Sequence, residues 1–332
     1  MNKKRKAGKE RRRDRLSRLP EPIIHHILSF LATRSAVQTS VLSRSWRSAW
    51  KHVPVLDFSQ HSFQRYSSFH RYVGNVLSLR YPLNLRKVKF ADGERRSDGR
   101  DDSLVIRVIQ YALSHDARHL VIDNANDVIS PDIYRFSDLF GSATSSSNCN
   151  LETLELEGFE IDSGFGSPGF RMLTSLDLWT CLVACGEEEV LEPFSNFPCL
   201  KHLSLRDLLG DFLFPEINDH PGLMKIHGLE LLSLKLHTVK FYRIEIDAPK
   251  LKFFGIWDDV EWLYYSNLSL PSLDHADIGL HGKLRFDEED KECVALQLIN
   301  LFRGLQNAKS LNLYRDTTIP VTTLVTASCI HK

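Results

Sequence analysis

Fourteen histidines and six cysteines are the residues of this 332-residue chain best suited to hold a metal or act as nucleophiles, and their spacing decides whether they can. Cys181 and Cys185 form a lone C-x3-C, and Cys149, Cys199, Cys293 and Cys329 supply no second pair at metal-ligand spacing. His25 and His26 are adjacent, so they cannot share a helical face as ligands four residues apart would. The acidic runs Glu187–Glu189 and Asp287–Asp290 have no companion ligands and read as solvated loop or helix-start acids. No Gly-rich phosphate loop, no H-E-x-x-H and no G-x-S-x-G is present. The residues point to a non-catalytic chain that needs no cofactor and no metal, and whose chemistry is that of binding.

Charge narrows the partners. The chain carries 42 Lys and Arg against 42 Asp and Glu, but residues 1–20 hold ten of the bases and two of the acids. That segment is +8 and the remainder, 32 bases against 40 acids, is −8. Residues 1–14 read as a disordered basic tail, because like charges repel and almost nothing there can be buried. "KKRK" followed by "RRR" fits a nuclear import address, a nucleic-acid patch or a solubilising tail, so the expected location is nuclear, cytoplasmic or both. An acidic body would repel phosphate, which disfavours nucleic acid as the main ligand. No apolar run approaches the roughly 18 residues of a membrane helix, so no membrane partner is expected. Without an export signal the thiols are expected to be reduced.

These readings leave two kinds of surface to position. The first lies in residues 15–54. In "EPIIHHILSFL" the residues Ile23, Ile24, Ile27, Leu28 and Leu31 fall on one face of a helix, with Pro20 and Pro22 at its entry. Ala36, Val37, Val41 and Leu42 are spaced for a second helix, and Trp46, Ala49 and Trp50 for a third that ends before Pro54. Three short helices cannot bury this much apolar surface among themselves, and the excess predicts a partner.

"DRLSRLPEPIIHHILSFLATRSAVQTSVLSRSWRSAW" resembles the F-box of plant F-box/leucine-rich-repeat (F-box/FBD/LRR-type) proteins, through Leu19-Pro20, "ILSFL", "AVQTSVLS" and Arg44-x-Trp46. It departs at Pro22, Ile23 and Ile24, where many members have an acid and two leucines, and the apolar face survives. The resemblance implies binding to the Skp-type adaptor of a cullin-RING (SCF) ubiquitin ligase, and through it to cullin. By motif position it places Leu19, Pro20, Ile23, Ile24, Ile27, Leu28, Leu31, Val37, Val41, Leu42 and Trp46 in or behind that interface. Packing against the rest of the chain is the competing role for these residues, most of all for Leu31, Val41 and Trp46.

The second surface lies in a looser repeat, Φ-x-x-Φ-x-Φ with Φ apolar. Copies begin at Leu85, Ala117, Leu151, Leu173, Leu200, Leu231, Leu251, Leu273 and Ala308, at intervals of 20 to 35 residues. Such a period signals a solenoid, in which each repeat buries its apolar side only against its neighbours. This is a leucine-rich-repeat pattern in irregular form. The expected fold is α/β: an N-terminal three-helix F-box followed by an irregular leucine-rich-repeat solenoid with one parallel curved sheet on its concave side, and coil and short helices on its convex side. In "LTSLDLWTC" the match extends to Cys181, which makes that thiol structural.

Helical stripes are expected within 62–80, 103–115 and around 288–303, and exposed loops at 92–102, 141–148 and 162–169. The division is then a tail at 1–14, an F-box at 15–54, a linking helix at 55–82 and the solenoid from 83 to 332. The chain stops soon after "AKSLNL", short of a full copy of the FBD region into which such proteins often continue.

Between the buried positions, Glu155, Asp177, Ser204, Lys235, Gly255, Asp277 and Asn312 project from the strand face. Phe253 and Trp257 alternate away from the buried slot, where they either anchor a partner or pack on neighbouring repeats. The expected target-binding set is Glu155, Asp177, Ser204, Lys235, Phe253, Gly255, Trp257 and Asp277. The function implied is substrate recognition for an SCF ubiquitin ligase, with an unidentified target protein held on the repeats. The alternative is a non-proteolytic scaffold with a degenerate F-box.

Overall fold

A computed structural model describes residues 16–93, 103–124, 133–144, 149–162, 165, 168–184, 190–210, 223–241, 243–259, 265–281 and 288–314. The basic tail, Cys185, the acidic run at 187–189 and most of the loop expected at 92–102 lie outside these residues.

The chain begins with a 3-10 turn at Leu16–Arg18 and two short helices, α1 (Glu21–Leu28) and α2 (Thr33–Gln38). Pro20 precedes α1 and Pro22 sits in its first turn, where backbone donors have no partner within the helix, so the missing N–H costs little. The Pro20 carbonyl accepts from the N–H groups of Ile23 (3.0 Å) and Ile24 (3.1 Å). Ser29 then donates its hydroxyl to the His26 carbonyl (2.7 Å) as the helix ends.

The third helix expected at Trp46–Trp50 is instead a run of turns and a 3-10 segment at Ala49–His52. "SRSWRS" offers serines at 43, 45 and 48, whose hydroxyls bond locally and compete with a helix. The Ser43 and Ser45 hydroxyls indeed pair, 3.0 Å apart.

The remaining helices are α3 (Tyr66–Leu79), α4 (Ser103–Ser114), α5 (Phe136–Thr144) and α6 (Glu288–Gly304). α3 and α4 bury the stripes their spacing foretold, including Phe69, Val73, Val108 and Ile109. α5 occupies part of what "GSATSSSN" suggested was loop. It forms because Phe136, Leu139 and Phe140 are spaced for one helical face and are buried.

Seventeen strands are seen among the described residues. The first eight are β1 (Val55–Ser59), β2 (Lys87–Ala91), β3 (His119–Asp123), β4 (Tyr134–Arg135), β5 (Thr153–Glu157), β6 (Phe159–Ile161), β7 (Ser175–Trp179) and β8 (Leu182–Val183). They are followed by β9 (Val190–Leu191), β10 (His202–Gly210), β11 (Leu223–His227), β12 (Ser233–Lys240) and β13 (Arg243–Asp247). The last are β14 (Phe253–Asp259), β15 (Tyr265–Ser269), β16 (His275–His281) and β17 (Ser310–Leu313).

The main sheet is parallel and runs β1-β2-β3-β5-β7-β10-β12-β14-β16-β17, as the solenoid reading requires. In register, the strands from β1 to β16 send their template apolar residues inward, whereas in β17, the edge strand among the described residues, Leu311 and Leu313 are exposed, a correction to the last repeat. Leu154 and Leu156 pair with Leu176 and Leu178, and these with Leu203 and Leu205, all at most 2% exposed. Each such side chain gains on the order of 2 kcal/mol from burial, and gains it only against its neighbours.

Ahead of most strands of the main sheet one carbonyl accepts two N–H donors from the next coil, and ahead of β2 the Arg86 carbonyl accepts the His119 N–H (3.0 Å). Pro54 takes Arg86 and Lys87, and the same pattern recurs at Arg118, Glu152, Thr174, Lys201, Leu232, Lys252 and Asp274. The backbone bends through left-handed conformations at Gly158 (φ 75°) and Thr180 (50°), just past β5 and β7, and at Asp207 (50°) and Thr238 (51°), within β10 and β12. Only one of the four is glycine, the residue that meets no Cβ clash there.

Two boundaries differ from the sequence reading. Residues 55–82 are not simply a linking helix, because β1 opens the main sheet before α3 begins. Val53-x-x-Leu56-x-Phe58 obeys the repeat template, and all three side chains are at most 2% exposed. The convex side also carries a second parallel sheet, in the order β15-β13-β11-β9. Met224 and Ile226, like Ile244 and Ile246, alternate inward to hold it on the core.

Candidate functional site

Two surfaces follow from this fold. The first lies on α1, α2 and the turns beside them. Of the eleven positions carried over by motif, Ile24 and Leu28 are 0% exposed and Trp46 is 3% exposed, so these three serve the chain's own core rather than a partner. Trp46 donates its indole N–H to the Leu16 carbonyl (3.2 Å) and pins the first turn. Leu19 and Val37 are half-buried against the core.

Pro20, Ile23, Ile27, Leu31, Val41 and Leu42 are exposed, with Val41 at 86%. Two apolar residues not anticipated join them, Phe30 at 74% and Leu16. Helical spacing marks an apolar stripe but not which of two adjoining faces meets the core. Phe30, beyond the end of α1, belongs to no stripe at all.

His25 is half-buried. Its ring stacks on His52 (5.3 Å between centroids), and His52 stacks on Tyr81 (4.6 Å). Burial, reinforced by the charge of His52, holds His25 below the usual imidazole range and so favours its neutral form.

This module is bolted to the solenoid. Thr33 Oγ1 accepts the Asp57 N–H (2.7 Å), tying α2 to β1. The buried Arg80 guanidinium donates to the carbonyls of Trp50 (3.1 Å) and Val53. Arg34 lies over the Phe63 ring (4.5 Å) and donates to the Ser62 carbonyl.

The second surface is the outer face of the main sheet. Strand register aligns Glu155, Asp177, Ser204, Lys235, Gly255, Asp277 and Asn312 as one row across the strands. Several of these are occupied within the chain. Asp277 accepts from Asn312 (3.0 Å) and lies 2.8 Å from the His275 ring nitrogen. Lys235 Nζ lies 5.7 Å from the Phe253 ring, which also stacks on His275. Gly255 is buried beneath Phe253 and Trp257, so it supplies a floor rather than a contact, a correction to its expected role.

A second row two residues further along comprises Asp123, Glu157, Trp179, Arg206, His237 and Trp257, of which the sequence reading had named only Trp257. The signal was available, since alternation carries the outward position one step beyond the template. Arg206 makes a two-armed pair with Asp177 (Nη2–Oδ2 2.5 Å, Nε–Oδ1 3.3 Å) and lies 4.6 Å over the Trp179 ring. His237 stacks on Trp257 at 4.2 Å and 8°, and Tyr314 approaches the same indole at 6.1 Å. Burial and the adjacent Asp123 carboxylate push Glu157 up to about 6.

Cys181 is fully buried and directs its thiol toward the carbonyls of Trp179 (3.4 Å) and Leu156 (3.7 Å). Burial pushes it up to about 12, so it is a thiol that supports a turn and not a nucleophile. Among the described residues no group of His, Cys, Asp and Glu could hold a metal ion, and no helix is long and apolar enough to cross a membrane.

Comparison with known proteins fits this layout. Residues 16–58 match the F-box domain, a span that ends inside β1. An F-box/FBD/LRR-repeat protein of Arabidopsis thaliana is 29% identical over 328 residues, covering 95% of this chain and 68% of that protein. A second is 26% identical over 317 residues (90% and 65%), and F-box/LRR-repeat protein 13 of the same plant is 28% identical over 256 residues (74% and 52%). The chain thus spans about half to two thirds of the length of these relatives.

Proposed function

We propose that this chain, which the domain match and the Arabidopsis relatives support as a plant F-box/leucine-rich-repeat protein, is the substrate-binding subunit of an SCF ubiquitin ligase. In this reading the Skp-type adaptor covers Pro20, Ile23, Ile27, Phe30, Leu31, Val41 and Leu42, and through the adaptor the chain joins a cullin. The outer face of the main sheet holds the target protein. The chain forms no bond itself. It raises the effective concentration of target lysines near a conjugating enzyme carried by other subunits.

The observation that carries the reading is the split within α1 and its flanks. Ile24 and Leu28 seal the core, while Ile23, Ile27, Phe30 and Val41 leave large apolar side chains open to solvent. The test is co-purification of the full chain with a Skp-type adaptor, comparing wild type with Phe30→Glu/Val41→Glu. The double variant should lose the adaptor while keeping its thermal transition, and equal recovery from both proteins would sink the docking claim.

A further inference from the structure

The second row on the strand face carries more than the general expectation that repeats bind targets. It contains stacked aromatic and cationic groups at one end and carboxylates at the other. Trp179 and Tyr314 are close to half exposed. Trp257 lies flat because Gly255 and Gly279 leave room for it. A Cβ at Gly255 would come within 2.5 Å of its ring, and one at Gly279 within 2.4 Å. The two glycines therefore make a floor on which the indole, flanked by His237 and Tyr314, forms a broad apolar shelf.

Four strands from Trp257 stands Glu157, with Asp123 directly opposite it on the strand beyond and Glu155 two residues along its own strand. Arg206 on this face pairs with Asp177, and it and Lys89 are the cations that act on Glu157. Burial first, and the facing Asp123 carboxylate second, raise the Glu157 carboxyl. An acid cluster and an aromatic shelf in one cross-strand row, joined by the Trp179–Arg206 stack, specify a ligand with two unlike ends.

We propose that the row Asp123–Glu157–Trp179–Arg206–His237–Trp257 is the target-recognition strip. Its ligand is an extended peptide segment of the target that crosses the strands, with a Lys or Arg side chain at the Asp123/Glu157 end and an aromatic or large aliphatic side chain on Trp257. This rests on the substrate-binding reading above and names the chemistry of its target. From Glu157 to Trp257 there are four strand-to-strand steps, about 19 Å at roughly 4.8 Å each, which an extended peptide covers in about six residues. The spacing between the basic and the apolar residue is therefore part of the proposal.

The experiment selects phage-displayed random nine-residue peptides on the full chain bound to its adaptor, in parallel on wild type, Glu157→Gln and Trp257→Ala. Wild type should enrich peptides with Lys or Arg separated by about five or six positions from an aromatic or large aliphatic residue. Glu157→Gln should lose the basic preference and Trp257→Ala the apolar one, each weakening a selected peptide about tenfold or more. Recovery of the adaptor by both variants checks that they fold. Acidic consensus peptides, no consensus from wild type, or the same consensus from all three proteins would overturn the proposal. Because phage selection can be repeated on the chain without adaptor, loss of docking in Phe30→Glu/Val41→Glu and loss of peptide preference in the strip variants remain separate results.

Discussion

The two exposed surfaces of this chain are built on opposite principles. The patch around Phe30 and Val41 is built of exposed apolar side chains. The strip on the main sheet is polar and aromatic, and most of its groups already hold one another: Arg206 with Asp177, His237 with Trp257. A bare apolar face gains by burying area and discriminates little between partners of similar shape. A prearranged polar face loses little entropy on binding and rejects ligands that leave its charges unpaired. The first suits one constant partner and the second suits a chosen one.

The largest expected effect breaks this comparison at its apolar side. Phe30→Glu/Val41→Glu should reduce adaptor affinity by at least about a hundredfold, read by calorimetric titration, because two charges would enter a desolvated contact. Ile24→Glu, one residue from exposed Ile23, should instead prevent folding, seen as loss of the cooperative thermal transition.

Next, Arg80→Ala should destabilise the chain by about 2–3 kcal/mol in urea titration, since the buried carbonyls of Trp50 and Val53 lose a charged donor. It tests whether the two surfaces share one rigid frame. Raising salt from about 0.1 M to 1 M should weaken peptide binding at the strip several-fold and leave adaptor docking nearly unchanged, because only the strip relies on charge.

A further effect concerns Asp258, 2% exposed, whose oxygens accept the N–H groups of Val239 (3.1 Å) and Asp259 (2.8 Å). Burial pushes its carboxyl up to about 7. Between the ordinary carboxylate range, near 4, and that value the folded chain holds a proton that the unfolded chain has released. Asp258 therefore lowers stability as pH rises through this window. Asp258→Asn should flatten the fall in melting temperature between about pH 4 and pH 7 by a few degrees. The smallest effect is expected for Thr238→Gly, neutral to about 1 kcal/mol stabilising by chemical denaturation, because a β-branched residue is held there at φ 51°.

The repeat template made the main sheet legible from Leu85 onward, because two apolar residues per strand recur whatever the spacing between coils, although those of β17, Leu311 and Leu313, stay exposed. It hid β1, since Val53, Leu56 and Phe58 follow the helical module without a break and Pro54 looks like its end. It hid the convex sheet, whose strands carry only Met224 with Ile226, or Ile244 with Ile246, pairs too short to stand out.

At the docking patch, periodicity found an apolar stripe and could not divide it. Ile23 and Ile24 are chemically alike and differ by one helical step, which in the fold separates 46% exposure from none. On the strip, the composition of each strand was readable, but its meaning depended on which residues of distant coils stand side by side. Arg206 and Asp177 are 29 residues apart and share one ion pair.

The carbonyls that accept N–H donors of the next coil also set a length. They tie Pro54, at the edge of the F-box match, to the strand that carries Trp257 through seven strand-to-strand steps, about 34 Å along the sheet. The solenoid is then a ruler whose graduations are coils. Removing one coil would draw the strip about 4.8 Å closer to the patch and turn it by roughly 20–25°, the usual twist between neighbouring strands. Coil number, independently of any contact residue, would decide which part of a bound protein comes within reach of whatever the patch is attached to.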